Sequence, residues 1–392
     1  MIKSALKLPA LAAAAQFHMT IQTRIAFPVA ALLCAVVLAT GCTSGTKTAR
    51  PAGPPRASDH RAKGERKVVV EIPEMFELAN VAIAISDEGL RDPNRVHKRG
   101  GYYERVLKHF LSFKAHPLIR EPDLHRNYTY FFRDNSVCYL FKGEEIVHGG
   151  VYPPMRTPDL FGKHHALAED FAAVSGFREF YRENLSYYRD QIRRYEQKVP
   201  LRRMWAWLEE RSPIRSHRYR IIFSPLLGSS HETCGFETNG VREMTMFVSG
   251  PGEPGEDDDP VDDALLAKSV FTEIDHNYIN PTTADFAPRV KKAFADLGKW
   301  SDPGNADSYP RPEFVFNEYM TWAVFVLYAQ DTYDQGTFQA VKKRVVDQMV
   351  NGRKFGRFGE FSDELQRAYR RHPQHPTLVD LYPAILAWAE GQ

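Results

Sequence analysis

Residues 270–281 read Val-Phe-Thr-Glu-Ile-Asp-His-Asn-Tyr-Ile-Asn-Pro. Residues at i and i+4 share a helix face, and two histidines at that spacing can hold one metal ion. A glutamate directly after the first histidine can then act on metal-bound water. In this chain Glu273 occupies the position of the base and His276 that of the second ligand, but the first ligand position holds Thr272. A threonine hydroxyl is neutral and a weak donor to zinc beside imidazole, carboxylate or thiolate. The plain alternative is a structural or surface pair, since a glutamate near a histidine on one helix is common.

Further along, Phe316-Asn317-Glu318-Tyr319-Met320-Thr321-Trp322-Ala323 places a lone carboxylate in an apolar helix. Together with the Thr-Glu-Ile-Asp-His segment, this resembles the gluzincin branch of the zincin metallopeptidases. There a glutamate on a later helix, within Asn-Glu followed by a small residue, supplies the third ligand. The likeness extends over about residues 71–385, to a family of exported bacterial zincin-like proteins. It includes Glu71-Ile72-Pro73-Glu74, Glu77-Leu78-Ala79-Asn80, Tyr102-Tyr103 through Phe110 to His116-Pro117, and Phe223-Ser224-Pro225-Leu226. The resemblance implies a helix-rich α+β domain with a small sheet beside the active-site helix. It also implies His276 and Glu318 as metal ligands, Glu273 as catalytic base and Thr272 as a degenerate ligand position.

Zinc is the implied metal, with manganese or no metal as the alternatives. His276 and Glu318 alone leave two protein ligands, whereas catalytic zinc takes three plus water. Three arrangements remain open. Glu273 could ligate directly, because it lies three residues from His276, and a carboxylate-rich site suits a harder ion such as manganese. His231 could enter from its loop. The third arrangement has no metal, with Glu273 and His276 forming a hydrogen-bonded pair. Asp275 and Asn277 are candidates for orienting His276, or else they serve as helix caps or meet solvent. Tyr309, Tyr319 and Tyr328 are candidate hydrogen-bond donors to a reacting group, with nothing to choose between them. The functional expectation is hydrolysis of a peptide or protein substrate by metal-bound water. The alternative is a catalytically inactive descendant that acts as an envelope binding protein.

These residues need a framework. Val68–Ile72 reads as a strand, and Pro73 as the start of a helix through Met75, Leu78, Val81 and Ile85. A second helix carries Tyr102, Val106, Phe110 and Phe113. Asn127–Phe132 reads as extended and Cys138–Val147 as a strand. Aromatic residues at helical spacing across 166–197 read as core packing on one helical stretch, and Leu201–Glu210 as a further helix. Strands are expected at Tyr219–Phe223 and Met244–Val248, with a connection carrying His231 and Cys234 that could form a hairpin beside the active-site helix. The acidic run 253–263 lacks the alternating ligands and central glycine of a calcium loop. It reads instead as a solvated loop in which Asp259 caps the next helix and Pro260 takes its first turn. Asn280-Pro281 is expected to end that helix. Closing helices are expected at 333–350, 360–369 and 377–389.

The N-terminus carries a different signal. Arg24 precedes an apolar run, Ile25 to Thr40, which leads into Gly41-Cys42. A positive start, a short apolar core and small residues at the cut are the parts of a secretory signal. A small residue before cysteine resembles a bacterial lipobox, which implies lipidation of Cys42 and attachment to a membrane through that lipid. Residues 1–42 are therefore expected to be a lipoprotein signal peptide, with Met19 as an alternative start. Residues 43–67, rich in Ser, Thr, Pro, Gly, Lys and Arg, form a tether with too few apolar side chains to offset ordering. Residues 68–392 form the functional domain. Thr43 after the cysteine suggests the outer rather than the inner membrane of the cell envelope, facing the periplasm. Lys plus Arg number 51 and Asp plus Glu 49, a formal net charge of +2. That balance excludes the strongly basic surface of a nucleic-acid binder. The hydrophobic share of 43% supports a sizeable core. Outside the signal and the lipobox, Cys138 and Cys234 are the remaining cysteines, and an exported compartment permits a bridge between them.

Overall fold

Strand Lys67–Glu71 (β1) opens the fold and pairs in parallel with Arg218–Ser224 (β4). β4 in turn pairs in parallel with Val241–Ser249 (β6), in a register that sets Ile221 opposite Met246. Glu232–Thr238 (β5) lies antiparallel against the other side of β6 and completes a four-stranded sheet of order β1-β4-β6-β5. The sequence explains these positions. β4 and β6 carry continuous buried runs, as strands covered on both faces must, whereas β5 is only partly buried, as suits an edge. The connection from β4 to β6 is therefore no hairpin between those two, because they run parallel. The hairpin is β5–β6, and it flanks the helix that carries the Thr-Glu-Ile-Asp-His segment.

The computed structural model describes residues 67–124, 129–150, 152–238, 240–253, 259–306, 308–372 and 376–392. Its helices are Glu74–Ile85 (α1), Asp87–Arg91 (α2), Gly100–Phe110 (α3), Pro117–Arg120 (α4), Thr129–Asn135 (α5), Leu160–Ser175 (α6), Phe177–Glu183 (α7), Leu185–Lys198 (α8) and Leu201–Glu210 (α9). They continue with Pro260–Asp285 (α10), Ala287–Ala293 (α11), Pro312–Thr332 (α12), Gln335–Asp347 (α13), Phe358–Arg371 (α14) and Leu378–Glu390 (α15). The result is a helix-rich α+β domain with a small mixed sheet. A separate two-stranded hairpin pairs Tyr139–Lys142 (β2) with Glu145–His148 (β3). No helix among the described residues is long and apolar enough to cross a membrane.

Several local expectations are corrected. The aromatic segment read as extended is helical from Thr129, where Phe132 is fully buried against Phe161 at a ring separation of 5.1 Å. Tertiary packing overrides the strand propensity of its aromatic residues there. Residues 138–147 form a turn of 3-10 helix and a hairpin rather than one strand. The stretch 166–197 is broken into α6, α7 and α8, with Gly176 left-handed at φ +65° and Asn184 at the second joint. Gly is the residue that takes a left-handed joint without a Cβ penalty.

The long helix α10 starts where its capping chemistry dictates. The Asp259 carboxylate accepts from the Val261 N–H at 2.7 Å, and Pro260 fills the first turn. It does not stop at Asn280-Pro281 but runs on to Asp285. An interior proline costs about 3 kcal/mol. Burial of Thr282 and Thr283 offsets that cost, with the Thr283 hydroxyl 2.9 Å from the Tyr382 hydroxyl and Thr282 donating to the Tyr278 carbonyl. α12 crosses α10 and is buried over most of its length, with Tyr328 stacked on Phe271 and Phe325 meeting it edge-on. This crossing brings Glu318 to His276.

Candidate functional site

α10 presents Thr272, Glu273 and His276, and α12 presents Glu318. The His276 Nδ1 lies 3.1 Å from Asn280 Oδ1, one turn along the same helix. With that amide oxygen accepting, the proton sits on Nδ1 and the bare Nε2 faces Glu318, whose Oε1 is 3.7 Å away. Two donors of one zinc ion, each at about 2.0–2.2 Å from it, are compatible with such a separation. The structure thus brings His276 and Glu318 together. The residue that orients His276, however, is Asn280, which lies inside α10 rather than at its end.

Thr272 and His231 do not supply a third ligand. The Thr272 side chain is buried and turned back on its own helix, donating to the Lys268 carbonyl at 3.2 Å. The His231 ring is already engaged, with Nε2 3.0 Å from the Ser249 hydroxyl and a further bond to the Gly228 backbone. Burial, reinforced by Lys268 and Arg133, drives its imidazole down to about 3, so it stays neutral. Asp275 does not orient His276 either. Its carboxyl is fully buried with both oxygens unpaired, and burial raises it far above the ordinary carboxylate range. Asn277 instead ties α10 to the edge strand, donating to the Thr233 hydroxyl at 2.9 Å. Gly235 permits that approach, because a Cβ there would come within 2.8 Å of Asn277 Oδ1.

The other side of Glu318 is occupied by cations that sequence reasoning missed. The Arg353 guanidinium lies 2.8 Å from Glu318 Oε2 and also donates to the Tyr309 hydroxyl. It is stacked near Trp322, whose ring centre is 4.9 Å from its Cζ, and the Lys268 ammonium lies 4.0 Å from the same ring. Lys268 donates to Gln348 Oε1 at 3.0 Å. Its buried ammonium, pushed down further by Arg353, falls to about 7. Arg353 follows a turn of π-helix at Gln348–Gly352, and its N–H closes on the Gln348 carbonyl at 2.8 Å. Lys354 sits left-handed at φ +64°, and the buried Phe355 and Met349 pin the turn beneath. Of the three tyrosines considered, Tyr309 belongs to the site. Tyr319 donates to the Trp300 carbonyl at 2.6 Å, and Tyr328 packs in the core.

Acidic groups crowd the same cleft. Burial pushes the half-buried Glu273 far above its ordinary range, and Glu232 and Glu318 add to the shift. Burial raises Glu232 to about 7 despite Arg156 at 3.1 Å. Arg156 also donates to the Thr233 carbonyl at 3.1 Å and reaches Asp134 at 3.2 Å, which covers part of the outer edge of β5.

Neither a family model, nor a curated protein, nor a solved structure matches the chain. The donor set must therefore be judged on its own chemistry. His276 and Glu318 fit a metal ion; Thr272 and His231 do not complete the set, and one Glu318 oxygen is committed to Arg353. Among the described residues no group of three or more His, Cys, Asp and Glu is arranged to hold an ion. His276 and Glu318 are two donors, one fewer than a catalytic zinc takes from protein. Cys138 and Cys234 are free thiols that contact the carbonyls of Pro153 and Met155. Cys42, the signal, the tether and residues 254–258 of the acidic run lie outside the described residues.

Proposed function

We propose that the domain is a zincin-like scaffold that has lost its metal and works by binding, as a non-catalytic component of the cell envelope tethered through Cys42. The observation that carries this reading is the Arg353–Glu318 pair at 2.8 Å. A protein cation holds the carboxylate that the resemblance assigns to a metal, while Thr272 stands where the first imidazole is needed. Lys268 adds a second basic group beside it, so a divalent ion would meet repulsion as well as an incomplete ligand set. Burial, with Glu232 and Glu318 nearby, raises the Glu273 carboxyl well above the ordinary carboxylate range, which favours its neutral form over the carboxylate a metal site needs. The cleft offers a bound molecule buried carboxyl groups beside the guanidinium of Arg353.

One observation favours the second reading, a metallopeptidase-like hydrolase. His276 has the direction of a ligand imidazole, with Nδ1 beside Asn280 Oδ1 and Nε2 3.7 Å from Glu318 Oε1. Metal analysis separates the two. The protein, purified without chelator or metal-affinity resin, is dialysed against zinc or manganese and compared with His276→Ala. The binding reading expects no retained ion in either. One ion per chain that disappears in the variant would overturn it in favour of the hydrolase. Mass spectrometry of the mature N-terminus tests the tether, since an unmodified Cys42 would remove it.

A further inference from the structure

Away from this cleft, the C-terminal end of α12, the start of α13 and one face of α14 enclose an open groove of about 450 Å³. Gln330, Gln335 and Gln339 line it, and Gln335 and Gln339 lie at i and i+4 so that both amides face the same way. Neither of these two exposed amides makes a hydrogen bond among the described residues. The cations differ in how they are satisfied. Lys342 is held by Asp363 at 2.7 Å and Gln366 at 3.4 Å, and Arg367 by Glu364 at 2.8 Å. Among the described residues Arg370 meets only the neutral Gln330 amide oxygen, at 3.4 Å, and no carboxylate.

We propose that this groove binds an acidic sugar, with a uronic carboxylate on Arg370 and ring hydroxyls on the glutamine amides. An amide offers donors and an acceptor on one planar group, which suits hydroxyls that also do both. A guanidinium takes a carboxylate through two parallel bonds. Among the described residues of the lining, Phe338 is the one apolar side chain. That argues against a peptide or lipid, whose affinity comes mainly from apolar anchors. Gln330 lies twelve residues beyond Glu318 on α12, about 18 Å along the axis at 1.5 Å per residue. The groove is therefore separate from the cleft, and its failure would leave the reading of the cleft untouched.

The test is calorimetric titration of the protein with trigalacturonate, galactotriose and inorganic phosphate. Trigalacturonate should bind at least roughly tenfold more tightly than galactotriose, a gap that Arg370→Gln closes. Gln335→Ala with Gln339→Ala should weaken both sugars, with unchanged melting showing that the fold is intact. No binding of trigalacturonate would overturn the proposal. So would phosphate competing as well as the sugar, which would make the groove a mere charge patch, or affinity indifferent to both sets of substitutions.

Discussion

Replacing Arg353 by alanine removes the partner of a carboxylate that has few other means of being satisfied. The two side chains are 27% and 13% exposed at a separation of 2.8 Å. Breaking a fully buried pair by deleting one member costs about 3–5 kcal/mol, while an exposed pair is worth about 0–1 kcal/mol. The intermediate burial places the pair's share near 2 kcal/mol. Loss of the guanidinium from the rings of Trp322, Phe355 and Tyr309 adds about 1 kcal/mol. Arg353→Ala is thus expected to cost about 3 kcal/mol. In a Glu318→Gln background, where no charge is left stranded, the same change should cost only about 1 kcal/mol. The coupling between the two sites is then about 2 kcal/mol, read from a double-mutant cycle by urea denaturation with fluorescence and circular dichroism as paired probes. A coupling under about 0.5 kcal/mol would mean that Arg353 does not hold Glu318, and the account of the cleft would fail with it.

Thr272→His supplies the missing imidazole; combined with Arg353→Ala to free Glu318, it should raise retained zinc from none to about one ion per chain by elemental analysis. Failure to gain metal would mean that α10 and α12 are not set at zincin geometry. Glu77 is fully buried, accepts from Tyr102 at 2.6 Å, and is raised by burial from 4.5 to about 7. The folded state therefore holds its proton more tightly, and that stabilisation is complete below pH 4.5 and lost as pH rises through 7. Glu77→Gln should accordingly stabilise the protein by up to about 3 kcal/mol at pH 8 and by little at pH 4; equal effects at both pH values would refute the shift. Phe271→Ala, which empties the space between Trp207, Phe325 and Tyr328, should cost about 3–5 kcal/mol in urea denaturation.

Much of the framework could be read from the residues because local and tertiary preferences agree. Asp259-Pro260 sets the start of α10, Leu201–Glu210 forms as its periodicity demands, and the β-branched and aromatic runs of β4 and β6 sit in the buried parallel part of the sheet. Errors arose where the two preferences compete. Thr129 and the aromatic residues 130–132 favour a strand on propensity, but Phe132 is fully buried as part of a helix packed on α6. Pro281 signals a stop, but the continuation to Asp285 is held by contacts from Tyr382, a residue of the last helix. Parallel pairing of β4 and β6 is likewise a long-range property, and the intervening segment gave only the local cue of a hairpin.

The cleft divides in the same way. Glu273, His276 and Glu318 could be found because helical spacing and one apolar helix announce them. Arg353 could not, since Asn351-Gly352-Arg353-Lys354 looks like any helix terminus, and its aim comes from the π turn pinned by Met349 and Phe355 beneath. Lys268 lies one turn before Thr272 on α10, yet a lysine there reads as a solvated face. Only the crossing of α12, which lays Trp322 under its ammonium, turns it inward. These two basic residues change the meaning of the three that were legible. His276 and Glu318 alone look like two-thirds of a metal site, but a guanidinium lies on the carboxylate and a buried amine shares its Trp322 ring; on the binding reading proposed above, those cations stand in for a metal's charge. If that substitution is what the fold has settled on, removing Arg353 should unbalance the cleft even when no metal is offered. A metal site merely awaiting its ion would instead be indifferent to the loss, or improved by it.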